Sequence, residues 1–380
     1  MSNSFDLQIA YRKYFRFIVF TRHMKLKKSP VKRTGYLSIL CIFAIVAFVM
    51  LAVSPVQSSD QKSTDTRTIV DGVGKTVTIP KEVNSIVIIQ GACQVPSLLS
   101  AMGVGDKVKQ GLCVKPPMQL KVQPEYEKIS NLTIVNGVAN VEDLLKLNPD
   151  LVIGWTNLNN EQVIRDTGLP LVVEDLSTYD TTVTSIEMIA DAVGAPEKGK
   201  KLLDSLDDAI KTVDEKVSGL SADQRKKVLL LSNSNPLTVL GADSYNREMI
   251  EKAGGICVTD NIPGYFVPIN LETFLNLDPD IIMVSASSPQ SYKNLMTNST
   301  WDILRAKKDG QIHLIPNGLF YWDKPGAENN LFLLWEANLF YPDLISADMV
   351  KDETRKFYKE YFNYDLSDED YDIIMQRNVK

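Results

Sequence analysis

Histidine is scarce in this 380-residue chain: His23 lies in a basic N-terminal stretch, which leaves His313 alone in everything that follows. One imidazole cannot build a three-histidine zinc or manganese centre. His313 also sits in an alternating run (QIHLIP), where a structural histidine in a strand is the ordinary reading. Cysteine supplies no substitute. Cys41, Cys93, Cys113 and Cys257 lack the paired spacing of a zinc site, and the three after residue 59 are an odd count for a disulfide framework. A Cys93–Cys113 bridge is open, but three small buried thiols are the expectation. No phosphate-cradling Gly-Lys-Ser/Thr loop and no Gly-x-Ser-x-Gly elbow is present. Nucleotide hydrolysis and serine-hydrolase chemistry are therefore excluded, and neither an enzyme nor a cofactor is expected.

Acidic residues are almost missing from the first 59 positions, which hold nine Lys or Arg and one acid, Asp6. Leu37 to Val53 then runs for 17 residues without a charge, and small polar residues follow. This is the order of a secretory signal, and the apolar run is also long enough to remain as a membrane anchor. Either way the rest of the chain is expected outside the cytoplasm. Met24, just ahead of the basic run, leaves the start of translation open between it and Met1. Cys41 lies early in the apolar run, so no lipid-modified cysteine is expected at a cleavage point. After residue 59 there are 32 bases against 46 acids, a net charge of −14. That surface repels phosphate backbones, and nucleic acid is not an expected partner. Asn131-Leu132-Thr133 and Asn298-Ser299-Thr300 are glycosylation sequons.

One segment occurs twice. Asn140–Trp155 (NVEDLLKLNPDLVIGW) recurs 130 residues later as Asn270–Ser285 (NLETFLNLDPDIIMVS). Each copy reads as a capped helix, a Pro-Asp turn and a buried parallel strand. Two such units imply two alike lobes with a cleft between them. Ahead of the first copy, Asp71-Gly72-Val73-Gly74 turns a hairpin that Pro80 stops, and strand and helix then alternate. Between the copies, Glu197–Val217 is one long amphipathic helix with Leu202, Leu203, Leu206, Ala209, Ile210, Val213 and Val217 on a shared face. The resulting division is a leader over 1–59, an N-terminal lobe over 60–195, a connecting helix over 196–219, a C-terminal lobe over 220–346 and closing helices over 347–380.

In open α/β sheets ligands lie beyond the carboxyl ends of the strands. Gln94, Trp155, Tyr179, Asn233, Ser285 and Trp322 fall there, and Tyr265 with Phe266 occupies a Pro-Gly loop on the expected rim. Flat side chains of this kind suit a large flat or apolar ligand. Lys115 and Lys324 are candidates to meet an anion, although a solvated surface is the ordinary place for a lysine. Glu142 and Glu272 each follow an N-capping Asn in the first helical turn, where the helix dipole favours a carboxylate. Their recurrence at matched places suggests a second role, docking on two arginine-bearing sites of a partner.

Together, the leader, the DGVGKTVTIP segment at 71–80, the VNSIV strand at 83–87 and the two Asn-x-Glu…Pro-Asp units resemble the ABC-transporter solute-binding proteins that handle iron–siderophore complexes, haem and cobalamin. The resemblance runs from about residue 67 to the closing helices. It implies an α/β fold of two Rossmann-like lobes with parallel sheets, joined by a single long rigid helix, with the ligand cleft between them. It also implies that Glu142 and Glu272 dock on an ABC permease, served by separate ATPase subunits. The family takes iron(III) chelates, cobalamin, haem and, in some members, molybdate or tungstate. The aromatic set favours an iron chelate of siderophore type, then a corrinoid or haem, then an oxyanion. A monomer is expected. A chelatase-like enzyme on a similar scaffold is the different-class reading, and the leader and the single exported histidine weigh against it.

Overall fold

A computed structural model describes residues 65–377, apart from Gln90, 131–133 and 136–137. The leader with its apolar run and the sequon at Asn131 lie outside the described residues. Among the described residues no helix is long and apolar enough to cross a membrane.

The fold opens with a hairpin, β1 (Thr66–Val70) and β2 (Thr76–Pro80), paired antiparallel. Asp71 makes the turn: its Oδ1 accepts the Lys75 and Val73 N–H groups at 2.8 and 3.2 Å. The first lobe is then built on β3 (Ile86–Ile88), β4 (Val108–Gln110), β7 (Leu151–Trp155) and β8 (Leu171–Glu174), with a small β5–β6 hairpin (Ile134–Val135, Val138–Ala139) beside it. The sheet order is β4-β3-β7-β8 and every pairing is parallel. Both faces are covered, so β3, β7 and β8 are runs of buried Ile, Val and Leu. The order reverses at β3. The crevice therefore lies past the ends of β3 and β7, at Gly91–Gln94 and Trp155.

The second lobe holds β9 (Lys227–Ser234), β10 (Leu237–Leu240), β11 (Ile256–Cys257), β12 (Phe266–Pro268), β13 (Ile281–Val284) and β14 (Ile312–Leu314). Strands β11 and β13 pair with β9 in parallel and β14 with β13 in parallel, as expected. The sheet is nevertheless mixed, because β10 turns back on β9 and β12 pairs antiparallel with β10. Exposure explains the departure. β12 alternates exposed and half-buried residues on an outer edge, whereas β13 is buried throughout.

The repeated segments fold alike. Helices α1 (Val141–Leu147) and α2 (Leu271–Leu277) are N-capped by Asn140 and Asn270 and end at left-handed Asn148 (φ 43°) and Asp278 (φ 34°). The Pro-Asp turn that follows has one function in both lobes. Asp150 Oδ2 accepts the N–H groups of Asn84 and Ser85 at 3.0 and 3.1 Å, at the root of β3. Asp280 Oδ2 accepts that of Lys227 at 2.8 Å, at the root of β9. Each aspartate thus ties a lobe's second unit to its first strand.

Helix α3 (Pro196–Val217) lies between the two sheets in chain order. Leu202, Leu203, Leu206, Ala209, Val213 and Val217 are buried and Ile210 is half-buried, as the periodicity predicts. The face packs on Tyr179–Ala192 from the first lobe and on Asn329–Phe340 from the second. Gly199 permits the first contact, since a Cβ there would stand 2.3 Å from that of Ala190. The closing helices, Ala347–Phe362 and Asp368–Ile374, return to both lobes: Asp370 pairs with Lys121 of the first, and the Ile374 carbonyl accepts the Asn317 N–H of the second at 2.8 Å.

Burial opposes ionisation of Asp370, but hydrogen bonds from Lys121, Ser367 and Tyr364 prevail and hold its carboxyl down to about 2. A lowered folded value adds stability that is complete above the unfolded aspartate range and is lost as pH falls through the folded one. Asp370→Asn is therefore expected to lower the urea midpoint at neutral pH, with the gap from the parent closing as pH falls towards about 2. Parallel urea curves followed by circular dichroism check this.

Candidate functional site

The end of β3 leads into a tight passage. Gly91 has φ +115°, and a Cβ on it would fall 2.3 Å from Trp155 Nε1, so the indole can lie there only because this residue is glycine. Cys93 follows, bonded to Cys113 with Cα atoms 5.5 Å apart. This corrects the expectation of three free thiols: the β3 and β4 loops bring the two together, and only Cys257 stays reduced among the described cysteines, buried against Thr259. Gln94 comes next, nearly buried, its Nε2 donating to Glu174 Oε1 at 3.2 Å. Glu174 is the last residue of β8, opposite Trp155 in the parallel register and 2% exposed. Burial first, and then the Asp175 charge, push its carboxyl well above the usual range.

The second lobe faces this wall with Tyr265, Phe266 and Lys324. The two rings meet edge to face at 4.7 Å, and Phe266 is 54% exposed. The Lys324 ammonium stands 5.3 Å from the Phe266 ring centre and 3.1 Å from Asp323 Oδ2. Burial works against its charge, but the Asp323 carboxylate and Tyr265 outweigh burial and raise it, so Lys324 stays a cation. Asp323 is anchored in turn. Its Oδ2 accepts the Ser285 hydroxyl at 2.6 Å and its Oδ1 the Ala286 N–H at 3.2 Å. Burial pushes the Tyr265 hydroxyl up, with Lys324 of its own lobe pulling it down and Asp323 and Glu174 raising it further. The lobes touch here as well, the Ala327 N–H donating to Ser97 Oγ at 3.3 Å.

Of the expected ligand residues, Gln94, Trp155, Tyr265 and Phe266 converge on this cleft. Four do not. Trp322 is 1% exposed and belongs to the hydrophobic core; its neighbour Lys324, not the indole, reaches the opening. Glu328 fixes that segment by accepting the Leu319 N–H at 2.7 Å and the Tyr358 hydroxyl at 2.9 Å, and burial pushes its own carboxyl up to about 7. Ser285 is fully buried and positions Asp323. Asn233 Oδ1 accepts from Asn235 N and Ser291 Oγ at 3.0 and 3.1 Å, and so builds the β9–β10 turn. Tyr179 lies at the lobe junction, its hydroxyl 3.2 Å from Asp207, its ring under Lys252 and its N–H on Glu248. Lys115 is turned to the Glu127 carbonyl.

Glu142 and Glu272 are both exposed, each in the first turn of a helix whose preceding Asn side chain accepts first-turn N–H groups. Glu174 was missed. Its signal was an acid closing the apolar strand LVVE, at a depth where a carboxylate is seldom buried without a partner.

The sequence model of the periplasmic binding protein family matches residues 98–319. The molybdate-binding protein MolA of Haemophilus influenzae is 26% identical over 332 residues, covering 79% of this chain and 93% of that protein. The Fe(3+)-citrate-binding protein YfmC of Bacillus subtilis is 24% identical and covers 74% and 90%. Among solved structures, MolA bound to molybdate aligns with a TM-score of 0.71 at 22% identity, over 79% of this chain and 99% of that one. A periplasmic solute binding protein from Veillonella parvula aligns at 0.69 and 24% identity, over 83% and 98%. With two lobes about a polar cleft and this match across more than half its length, the chain belongs to the periplasmic binding protein family, as a class III, extracytoplasmic, non-catalytic solute-binding component of an ABC importer.

Proposed function

We propose that the captured solute is a small metal-bearing oxyanion of the molybdate and tungstate class, handed to the permease for import. The observation that carries this is the set of donors meeting across the lobes: Lys324 and Tyr265 on one side, Gln94 on the other. A fixed cation with converging hydrogen-bond donors suits an oxyanion. Burial of Trp322 in the core removes one of the flat surfaces that favoured a large chelate. The likeness to MolA over nearly all of that protein points the same way. An iron(III) chelate is the second reading. It is favoured by the exposed Phe266 ring against Tyr265, and by the likeness to YfmC.

Tryptophan fluorescence of the exported part, with Trp155 in the cleft wall, separates the two. Molybdate and tungstate are expected to give saturable changes at about micromolar concentration or below, and ferric citrate, a ferric hydroxamate, cobalamin and haem none. Saturation by an iron chelate alone overturns the oxyanion reading in favour of the second. Lys324→Met should weaken molybdate binding by about tenfold or more, the loss typical of a charge-assisted hydrogen bond.

Glu142 and Glu272 are proposed as the permease-docking pair, one on each lobe, exposed and structurally equivalent. Changing both to Arg is expected to abolish uptake in cells while solute affinity of the purified protein stays unchanged. A drop in that affinity would refute the docking role.

A further inference from the structure

Glu174 is the one group of the cleft wall whose chemistry fits poorly with an anionic solute. Its carboxyl ends β8 at 2% exposure, and among the described residues no ion pair reaches it. The nearest help is the Gln94 amide, which donates to Oε1. The groups around it are Asp175 just past the end of β8, Trp155 from β7, Gln94 from the β3 loop, and Tyr265 from the second lobe, which also feels the Lys324–Asp323 pair. One of these, Asp175, is an acid and accepts from Ser177, and Lys324, the cation that acts on Tyr265, is already committed to Asp323. A carboxylate at this point would be buried without a counter-charge and would repel a dianion a short distance away. A carboxylic acid has neither defect, because it carries no charge and its O–H is a further donor beside the Gln94 amide.

We infer that Glu174 is the specificity-determining residue of the cleft, admitting a fully deprotonated oxyanion only while its own carboxyl holds a proton, so that capture is linked to proton uptake where Glu174 is otherwise ionised. The balance is simple: the oxyanion gains a hydrogen bond from the Glu174 O–H, and the proton comes from solvent and stays on Glu174. Burial and Asp175, which both favour the neutral acid, act in the required direction. A solute that carries its own proton on that face would instead be accepted by the ionised carboxylate, so the same residue discriminates between protonated and unprotonated oxyanions.

The solute arm rests on the oxyanion reading; a second measurement does not. Molybdate affinity is measured from about pH 6.5 to 9 for the parent, Glu174→Gln and Lys324→Met, with calorimetry in two buffers of different ionisation enthalpy. Above the titration of Glu174 the parent should lose up to about tenfold in affinity per pH unit and take up as much as one proton. Glu174→Gln keeps size and a donor, so its affinity should stay within about threefold across the range, with no uptake. Lys324→Met should bind more weakly yet keep the parent's slope. A parent without slope or uptake, or a Glu174→Gln protein with the parent's slope, overturns the inference. Failure of molybdate to bind any of the three proteins refutes the oxyanion reading instead. Glu174 is then judged on the solute-free protein, by the infrared carbonyl band of a protonated carboxyl in the parent minus Glu174→Gln difference at neutral pH. Its presence supports the proton on Glu174, and its absence overturns the proposal.

Discussion

The arrangement depends on one helix burying an apolar stripe against both lobes. Pro196–Val217 cannot shed the contact of Leu202, Leu206 and Val213 without exposing several large side chains, each worth about 1.5–3 kcal/mol when fully buried. Its partners are the last helix of the first lobe and the Asn329–Phe340 helix of the second. A single rigid element with partners on both sides sets the distance between the cleft walls. The Asp370–Lys121 pair ties the end of the chain back to the first lobe and reinforces the same limit.

The cleft is a study in support from behind. Lys324 faces the opening, but its position is inherited from Asp323, whose carboxylate is held by Ser285 and the Ala286 N–H at the end of β13. Gln94 is likewise aimed by Glu174 and by the turn that Gly91 makes possible beside Trp155. Charged and polar groups placed on strand ends in this way keep their geometry without a ligand, which lowers the ordering cost of binding.

Much of the fold was legible because its periodicities are strong. The doubled helix–turn–strand unit, the glycine hairpin and the long amphipathic helix follow from capping residues, Pro-Asp turns and apolar spacing that nothing in the tertiary structure opposes. The antiparallel β10 and β12 were not legible, since short half-exposed strands carry little signal of partner or direction. Position relative to strand ends singled out Gln94 and Trp155, and the Pro-Gly loop singled out Tyr265, all of which line the gap between the lobes. The same rule overreached at Trp322 and Ser285, where a residue just past a strand turned inward to fill the core or to orient an acid. Direction of a side chain after a strand is set by loop geometry, and one sequence does not encode that locally. The carboxyl of Glu174 escaped for a related reason, and Lys324, though named as a candidate to meet an anion, was set beside the ordinary solvated lysine: ionisable residues are surface residues by default, and only tertiary contacts reveal the exceptions.

The Cys93–Cys113 bond has a reach beyond the two loops it joins. It closes a ring, separated by 20 residues in the chain, that contains Gln94, the Val95–Ala101 helix and strand β4. A ring of that size removes about 3 kcal/mol of freedom from the unfolded chain in the loop-entropy account. Such a bond persists only where thiols oxidise, on the far side of the membrane from the ribosome. The wall that carries Gln94 is therefore covalently finished at the destination, and maturation of the receptor is tied to its address.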